Sequence, residues 1–125
     1  MSIEVGLRGE ATLVVGAADT AVAMRSGTVD VLATPRLVAL CEEATCLAID
    51  GRVPAGHTTV GMRVQIDHLQ PTAVGGEVTA EATLDKIDGR RLTFTVSAAD
   101  ARGLIAVGKV TRVVVDVDRF TSKIH

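Results

Sequence analysis

The sequence predicts an α+β fold in a single domain, a sheet of about five antiparallel strands wrapped around one long helix. Three observations carry this. Only one stretch, "VLATPRLVALCEEATCLAID" at 31 to 50, has helical periodicity with start and stop signals at its ends. Four runs after it alternate apolar and polar residues with period two, as strands do when one face meets a core and the other meets water. The 125 residues are 47% hydrophobic and even in composition from end to end, which suits one core spanning 1–125 and leaves no room for a second.

The elements follow in order. "EATLVVG" (10 to 16) is a short β-type run, and "AADTAVAMRSGTVD" after it is a loop with room for one helical turn. The helix spans about 35 to 50, with Thr34 as N-cap, Pro35 at the first helical position and Gly51 past its end. In "TTVGMRVQIDHLQP", Val60, Met62, Val64 and Ile66 form the face that packs on the helix, His68 continues their parity and Pro71 stops the run. "EVTAEATLDKI" turns Val78, Ala80, Ala82 and Leu84 inward, and "RLTFTVSAAD" does the same with Leu92, Phe94, Val96 and Ala98. Asp88 and Gly89 between them read as a hairpin turn, and the turn "DARG" leads into the last strand, "GLIAVGKVTRVVVDV".

Composition excludes several functions. Aromatic residues make up 2% of the chain, with no Trp or Tyr, and the formal net charge is -2, so neither base stacking nor a basic surface supports nucleic-acid binding. No apolar run approaches the roughly 20 residues that cross a bilayer, and "MSIEVGLRGE" lacks the regions of a signal peptide. A cytoplasmic protein without membrane contact is expected. Cys41 and Cys46 sit about 140° apart around the helix and cannot bridge, so both are expected to be reduced packing residues. His57 and His68 lack partner ligands at metal-binding spacing and His125 is terminal, so no metal site is expected.

The two glutamates inside the apolar helix need an explanation. With Leu37 at 0°, Leu40, Cys41, Ala44, Leu47 and Ala48 fall within about 80° and form the core stripe. Glu43 falls at about 240°, beside Arg36 and Asp50, on a charged and solvated face. Glu42 falls at about 140°, between Val38, Ala39, Cys46 and Ile49. Either the helix edge rises out of the core there and Glu42 simply reaches water, or its carboxylate is half withdrawn into a cleft or subunit interface where it serves as base or nucleophile. His68 likewise reads either as a hydrogen-bonded rim residue or as a partner of that carboxylate. Thr34 is accounted for as an N-cap, although its hydroxyl also stands where an anionic oxygen is welcome.

Four blocks in order, "LATPRLVALCEEA", "TTVGMRVQIDHL", "DGRRLTFTV" and "RVVVDVDRF", resemble the hotdog-fold thioesterases, and among them the fluoroacetyl-CoA thioesterase-like family. The resemblance implies a hotdog fold and a homodimer, open to further assembly, whose sheets pair with the acyl groove at the interface. It implies Thr34, Glu42 and His68 as the catalytic group, Gly61 as the residue whose amide helps hold the thioester carbonyl, and Arg112 as a substrate-binding arginine. It implies no cofactor. The loop "MRSGTVDVLA" lacks the phenylalanines that cover the acyl group in the fluoroacetyl-specific enzyme, Pro71 comes earlier than in relatives, and Val110 stands where a second histidine is common.

Hydrolysis of a thioester needs a nucleophile or activated water, a proton shuttle and donors for the developing oxyanion. Glu42, His68, and Thr34 with the Gly61 N–H are the candidates for these roles, acting on a short or small acyl-CoA. A hotdog protein that binds acyl-CoA or another small ligand without cleaving it is the competing reading. A hydratase is disfavoured because its Asp and His motif is absent. Thr34 and Glu42 are eight residues apart, about 12 Å of helical rise, so one small group reaches both only through converging side chains or across two subunits.

Overall fold

The computed structural model describes residues 2–125. Strands β1 (Arg8–Val14), β2 (His57–His68), β3 (Glu77–Asp88), β4 (Arg91–Asp100) and β5 (Gly103–Asp116) form one antiparallel sheet in the order β1-β3-β4-β5-β2. Helix α1 (Thr34–Ala48) connects the two edge strands and packs chiefly on β1 and β3. A short helix α2 (Val117–Thr121), which periodicity did not reveal, follows β5; the Asp116 side chain caps it by accepting the Arg119 N–H at 2.9 Å.

The inward faces of β3 and β4 are those expected, with Val78, Ala80, Ala82, Leu84, Leu92, Phe94, Val96 and Ala98 all buried. The turn between them is shifted by one residue: Asp88 pairs with Arg91, which leaves Gly89 and Arg90 as the turn. Gly89 has φ 59°, a left-handed conformation that costs glycine little at the first position of a tight hairpin.

The core stripe of α1 differs from the expected one. Leu37, Leu40, Cys41, Ala44 and Ala48 are buried, but Leu47 is exposed and Thr45 is buried in its stead. Thr45 tolerates burial because its hydroxyl donates to the Glu42 carbonyl at 2.6 Å. On the helical wheel Thr45 lies at about 80° and Leu47 at about 280°, so the buried stripe is turned toward the Glu42 side. Glu42 is half-buried as a result, while Glu43 is exposed. Cys41 packs in the core, but Cys46 is exposed, so the expectation of two packing cysteines holds for only one.

Thr34 does not cap α1. Ala33 occupies the N-cap position without a side-chain hydrogen bond, and Thr34 is the first helical residue, its hydroxyl engaged elsewhere.

Strict alternation also fails in β2. The register on β5 slips between Gly61 and Arg63, which makes Met62 the extra residue of a β-bulge. Beyond the bulge, Val64, Ile66 and His68 keep the expected parity opposite Val110, Gly108 and Ala106, but Val64 is exposed rather than packed on the helix. Before it, Thr59 and Gly61 take the inward face opposite Val114 and Arg112, and Val60 turns outward. One inserted residue thus exchanges the two faces along half of the strand.

Candidate active site

The site is built where the N-terminal two thirds of α1 faces the inner side of β2. His68 ends β2, and Thr34 begins α1. Their side chains meet, with Thr34 Oγ1 2.8 Å from His68 Nδ1. A hydroxyl both donates and accepts, so Thr34 satisfies Nδ1 in either tautomer of the ring. His68 Nε2 is buried and has no hydrogen-bond partner among the described residues. Leaving a buried polar atom unpaired costs on the order of 1–3 kcal/mol, which makes such an atom in a native fold a mark of a ligand-binding position. Burial lowers the imidazole pKa below its ordinary 6.5, and the neighbouring Gln70 backbone opposes the shift in part.

The second half of the site lies two turns along α1. The Glu42 carboxylate receives Arg112 Nη1 at 3.4 Å, from an arginine that is only 7% exposed. A buried guanidinium must be paired, and the rest of its bonds go to one residue: Nε donates to Thr59 Oγ1 at 2.9 Å and Nη2 to the Thr59 carbonyl at 3.1 Å. Thr59 carries no sequence signal, because only the bulge register places it beside Arg112. Gly61 lies directly under the carboxylate, and a Cβ there would overlap Glu42 Oε2. The glycine makes room for the acid. The neighbouring Cys41 thiol is pushed up to about 11 by burial and, secondarily, by the charge of Glu42, so it stays protonated and unreactive.

All five residues singled out in the sequence therefore fall on one face, in two groups: Thr34 with His68, and Glu42 with Gly61 and Arg112. Arg112 is buried and holds the carboxylate from within the sheet. Val110 is fully buried in the core. Next to Thr34 and His68 opens a cavity of about 250 Å³ whose walls include Ala21, Val31, Leu32, Leu69 and Pro71. Beside Glu42 on α1, Pro35, Ala39 and Cys46 are exposed, and across from them so are Met62 and Val64 of the edge strand β2. No group of three or more His, Cys, Asp or Glu that could hold a metal ion occurs among the described residues.

The family described as "Fluoroacetyl-CoA-specific thioesterase" matches residues 15–118. The chain is 33% identical over 96 residues to the fluoroacetyl-CoA thioesterase of Streptantibioticus cattleyicolor, covering 77% of this chain and 69% of that protein. A solved structure of a fluoroacetyl-CoA thioesterase superposes with a TM-score of 0.92 at 28% identity, covering 99% of this chain and 96% of the other. A hot-dog-like protein from Thermanaerovibrio acidaminovorans gives 0.90 at 28% identity over 98% and 90% of the two chains. The curled sheet and its helix are a hotdog fold.

Two outcomes follow from this geometry. Gly61→Ala displaces the Glu42 carboxylate from Arg112; since the overlap is with the end of a flexible side chain, the melting temperature should change by only a few degrees while turnover of an acyl-CoA falls at least tenfold. A melting point and a turnover number that fall in proportion would show that Gly61 matters for packing alone. The lowered pKa of His68 means that below pH 6.5 the unfolded chain takes up a proton there before the folded chain does. This contribution to stability is complete above pH 6.5 and is lost as pH falls through the folded value. Denaturant unfolding at pH 7.5 and 5.0 should show a larger acid loss for the native chain than for His68→Gln, and equal losses would contradict it.

Proposed function

Because the chain belongs to the fluoroacetyl-CoA-specific thioesterase family and is an acyl-CoA thioester hydrolase, we propose that Thr34, Glu42 and His68 carry its reaction, at a site completed by two subunits. The observation that carries this reading is the state of His68. One ring nitrogen is fixed by Thr34 and the other is buried without a partner, which is the disposition of a group that awaits the substrate as its hydrogen-bond partner.

The steps use the groups in turn. Glu42 takes a proton from a water molecule, and the resulting hydroxide oxygen bonds to the thioester carbonyl carbon. Negative charge then develops on the carbonyl oxygen, where an N–H from His68 Nε2 is available whenever the Thr34 hydroxyl donates to Nδ1. Collapse breaks the C–S bond, and the departing thiolate takes up the proton that Glu42 removed from water, which leaves the carboxylate ionised and the neutral His68 ring unchanged. A salt bridge to the buried Arg112 keeps the carboxylate in one orientation through the cycle. The cavity beside Thr34, walled mainly by small and apolar groups, accommodates a short acyl chain.

Within one chain the Thr34 and Glu42 groups are separated by about 12 Å of helix, too far to share one carbonyl carbon. A two-fold axis resolves this. If the faces carrying Pro35, Ala39, Glu42, Met62 and Val64 pair antiparallel, the Glu42 end of one subunit meets the His68 end of the other, and the open edge of β2 is covered in the same step. A homodimer with two equivalent sites is the assembly proposed.

Incubation of the purified chain with a panel of acyl-CoAs and a thiol reagent should release CoA fastest from short acyl groups. Glu42→Gln should lower kcat on the order of 10²-fold or more, and the exposed Glu43→Gln less than threefold. Equal losses, or saturable binding without thiol release, would overturn the assignment. Sedimentation at micromolar concentration should give a dimer, and Val64→Lys on the edge strand should give a folded monomer without turnover. An active monomer would remove the shared site.

A further inference from the structure

The hydrolytic residues account for the acyl end of the substrate and leave its carrier end without a partner. Among the described residues, Arg8, Arg36, Arg52, Arg102 and Arg112 are engaged in salt bridges. Of the cations left over, Arg90, Arg119 and Lys123 line a single cleft together with Val115, Asp116 and Phe120. They come from three separate places. Arg90 sits in the turn between β3 and β4 and is tied to the sheet by its carbonyl, which accepts the Val114 N–H at 2.9 Å. Arg119 belongs to α2, and Lys123 to the short 3₁₀ turn Ser122–Ile124 after it, its ammonium 5.6 Å from the centre of the Phe120 ring. Asp116 is the one acidic lining residue, and its carboxylate is already occupied in capping α2. Three cations against one carboxylate give this cleft a positive charge in a chain whose formal net charge is -2.

The cleft lies at the far end of the strand pair that carries the active site. His57 pairs with Asp116 and Thr58 with Val115 across the β2–β5 ladder. On the β2 side of that ladder lies a cavity of about 270 Å³ lined by Cys46, Asp50, His57, Thr58 and Thr59 among others. Thr59 is the residue that holds Arg112 against Glu42. The ladder thus marks a route from Gly61, under the Glu42 carboxylate, past Thr59 and His57 to the strand end that carries the cations. Arg112 and Asp116 are four residues apart on β5, about 13 Å at the rise of a strand, a separation that the two amide-linked segments of an extended pantetheine arm can span.

Resting on the reading of the chain as an acyl-CoA hydrolase, we propose that this route binds the carrier half of the substrate, with the pantetheine arm in the cavity beside Thr59 and the nucleotide phosphates of CoA at Arg90, Arg119 and Lys123. Arginine suits the task because its planar fork of donors matches phosphate oxygens. The hydroxyls of Thr58 and Thr59 suit the neutral amides of the arm.

The test compares the native chain with the triple variant Arg90→Ala, Arg119→Ala, Lys123→Ala, and with Lys86→Ala, Lys109→Ala as a control for loss of charge elsewhere. Adenosine 3′,5′-bisphosphate, titrated calorimetrically at low salt, should bind the native chain and the control, and should bind the triple variant at least tenfold more weakly. In kinetics, the preference in kcat/KM for an acyl-CoA over the same acyl-pantetheine should collapse about tenfold in the triple variant alone. Unchanged binding and an unchanged preference, or an equal loss on both substrates, would overturn the proposal. Nucleotide binding that depends on the three cations in a chain without turnover would support this site and count against the hydrolase reading, so the two failures are distinguishable.

Discussion

One extra residue in an edge strand decides the chemistry of this molecule. Gly61 and His68 are seven apart, and in an unbroken strand residues separated by an odd number point to opposite faces. The bulge at Met62 reverses the parity between them, so both face α1. Without it, either the imidazole or the glycine under the carboxylate would lie on the solvent side of the sheet. Arg112 reaches the inner face by the regular alternation of β5, and the slip in β2 is what sets Gly61 and Thr59 beside its guanidinium. A bulge costs ladder hydrogen bonds, and edge strands are where that loss is most easily met by water or by a partner.

The second constraint is the roll of α1. Burial of Thr45 rather than Leu47 turns the helix so that Glu42 lies over β2, half out of water, instead of projecting into solvent as Glu43 does. Glu42 then requires a counter-charge, and a buried arginine requires an anion; each answers the desolvation of the other. The pair is fixed twice more, by Thr59 on the guanidinium side and by the absent Cβ of Gly61 on the carboxylate side. Four residues from three elements hold one carboxylate in place, and only one of the four, Glu42, was anomalous by its own position on the helical wheel.

This explains what the sequence made legible. The long helix, the order of strands and the inner faces of β3 and β4 follow from periodicity, because those strands are central and each of their faces has one environment. Glu42 stood out for the same reason, as a charge in an apolar stretch. Periodicity could not show the bulge, since "VGMRV" alternates as well as any regular strand, and the inward positions of Thr59 and Gly61 were hidden with it. Thr34 looked fully explained as a cap, yet the structure gives that position to Ala33 and sends the hydroxyl to His68. Resemblance to the thioesterase blocks supplied the grouping of Thr34, Glu42, His68, Gly61 and Arg112. The structure supplies the reason for it, which is that two hydrogen-bonded pairs share one face.

The incompleteness of that face is itself informative. An unpaired buried nitrogen at His68, an exposed edge strand carrying Met62 and Val64, and small exposed residues beside Glu42 are separate costs to an isolated chain, and all fall on the same side of the molecule. Costs scattered over a surface would need separate remedies. The two-fold association proposed above would cover the strand edge and the apolar residues together, and would set one subunit's carboxylate against the other's imidazole while leaving Nε2 for the substrate. The proposed arrangement would give the thioester a direction, with the acyl chain toward the cavity at Thr34 and the sulfur toward Glu42, Thr59 and the cations at the end of β5. On that proposal catalysis and assembly would rest on one surface, so a substitution that loosened the interface would also separate the acid from the histidine.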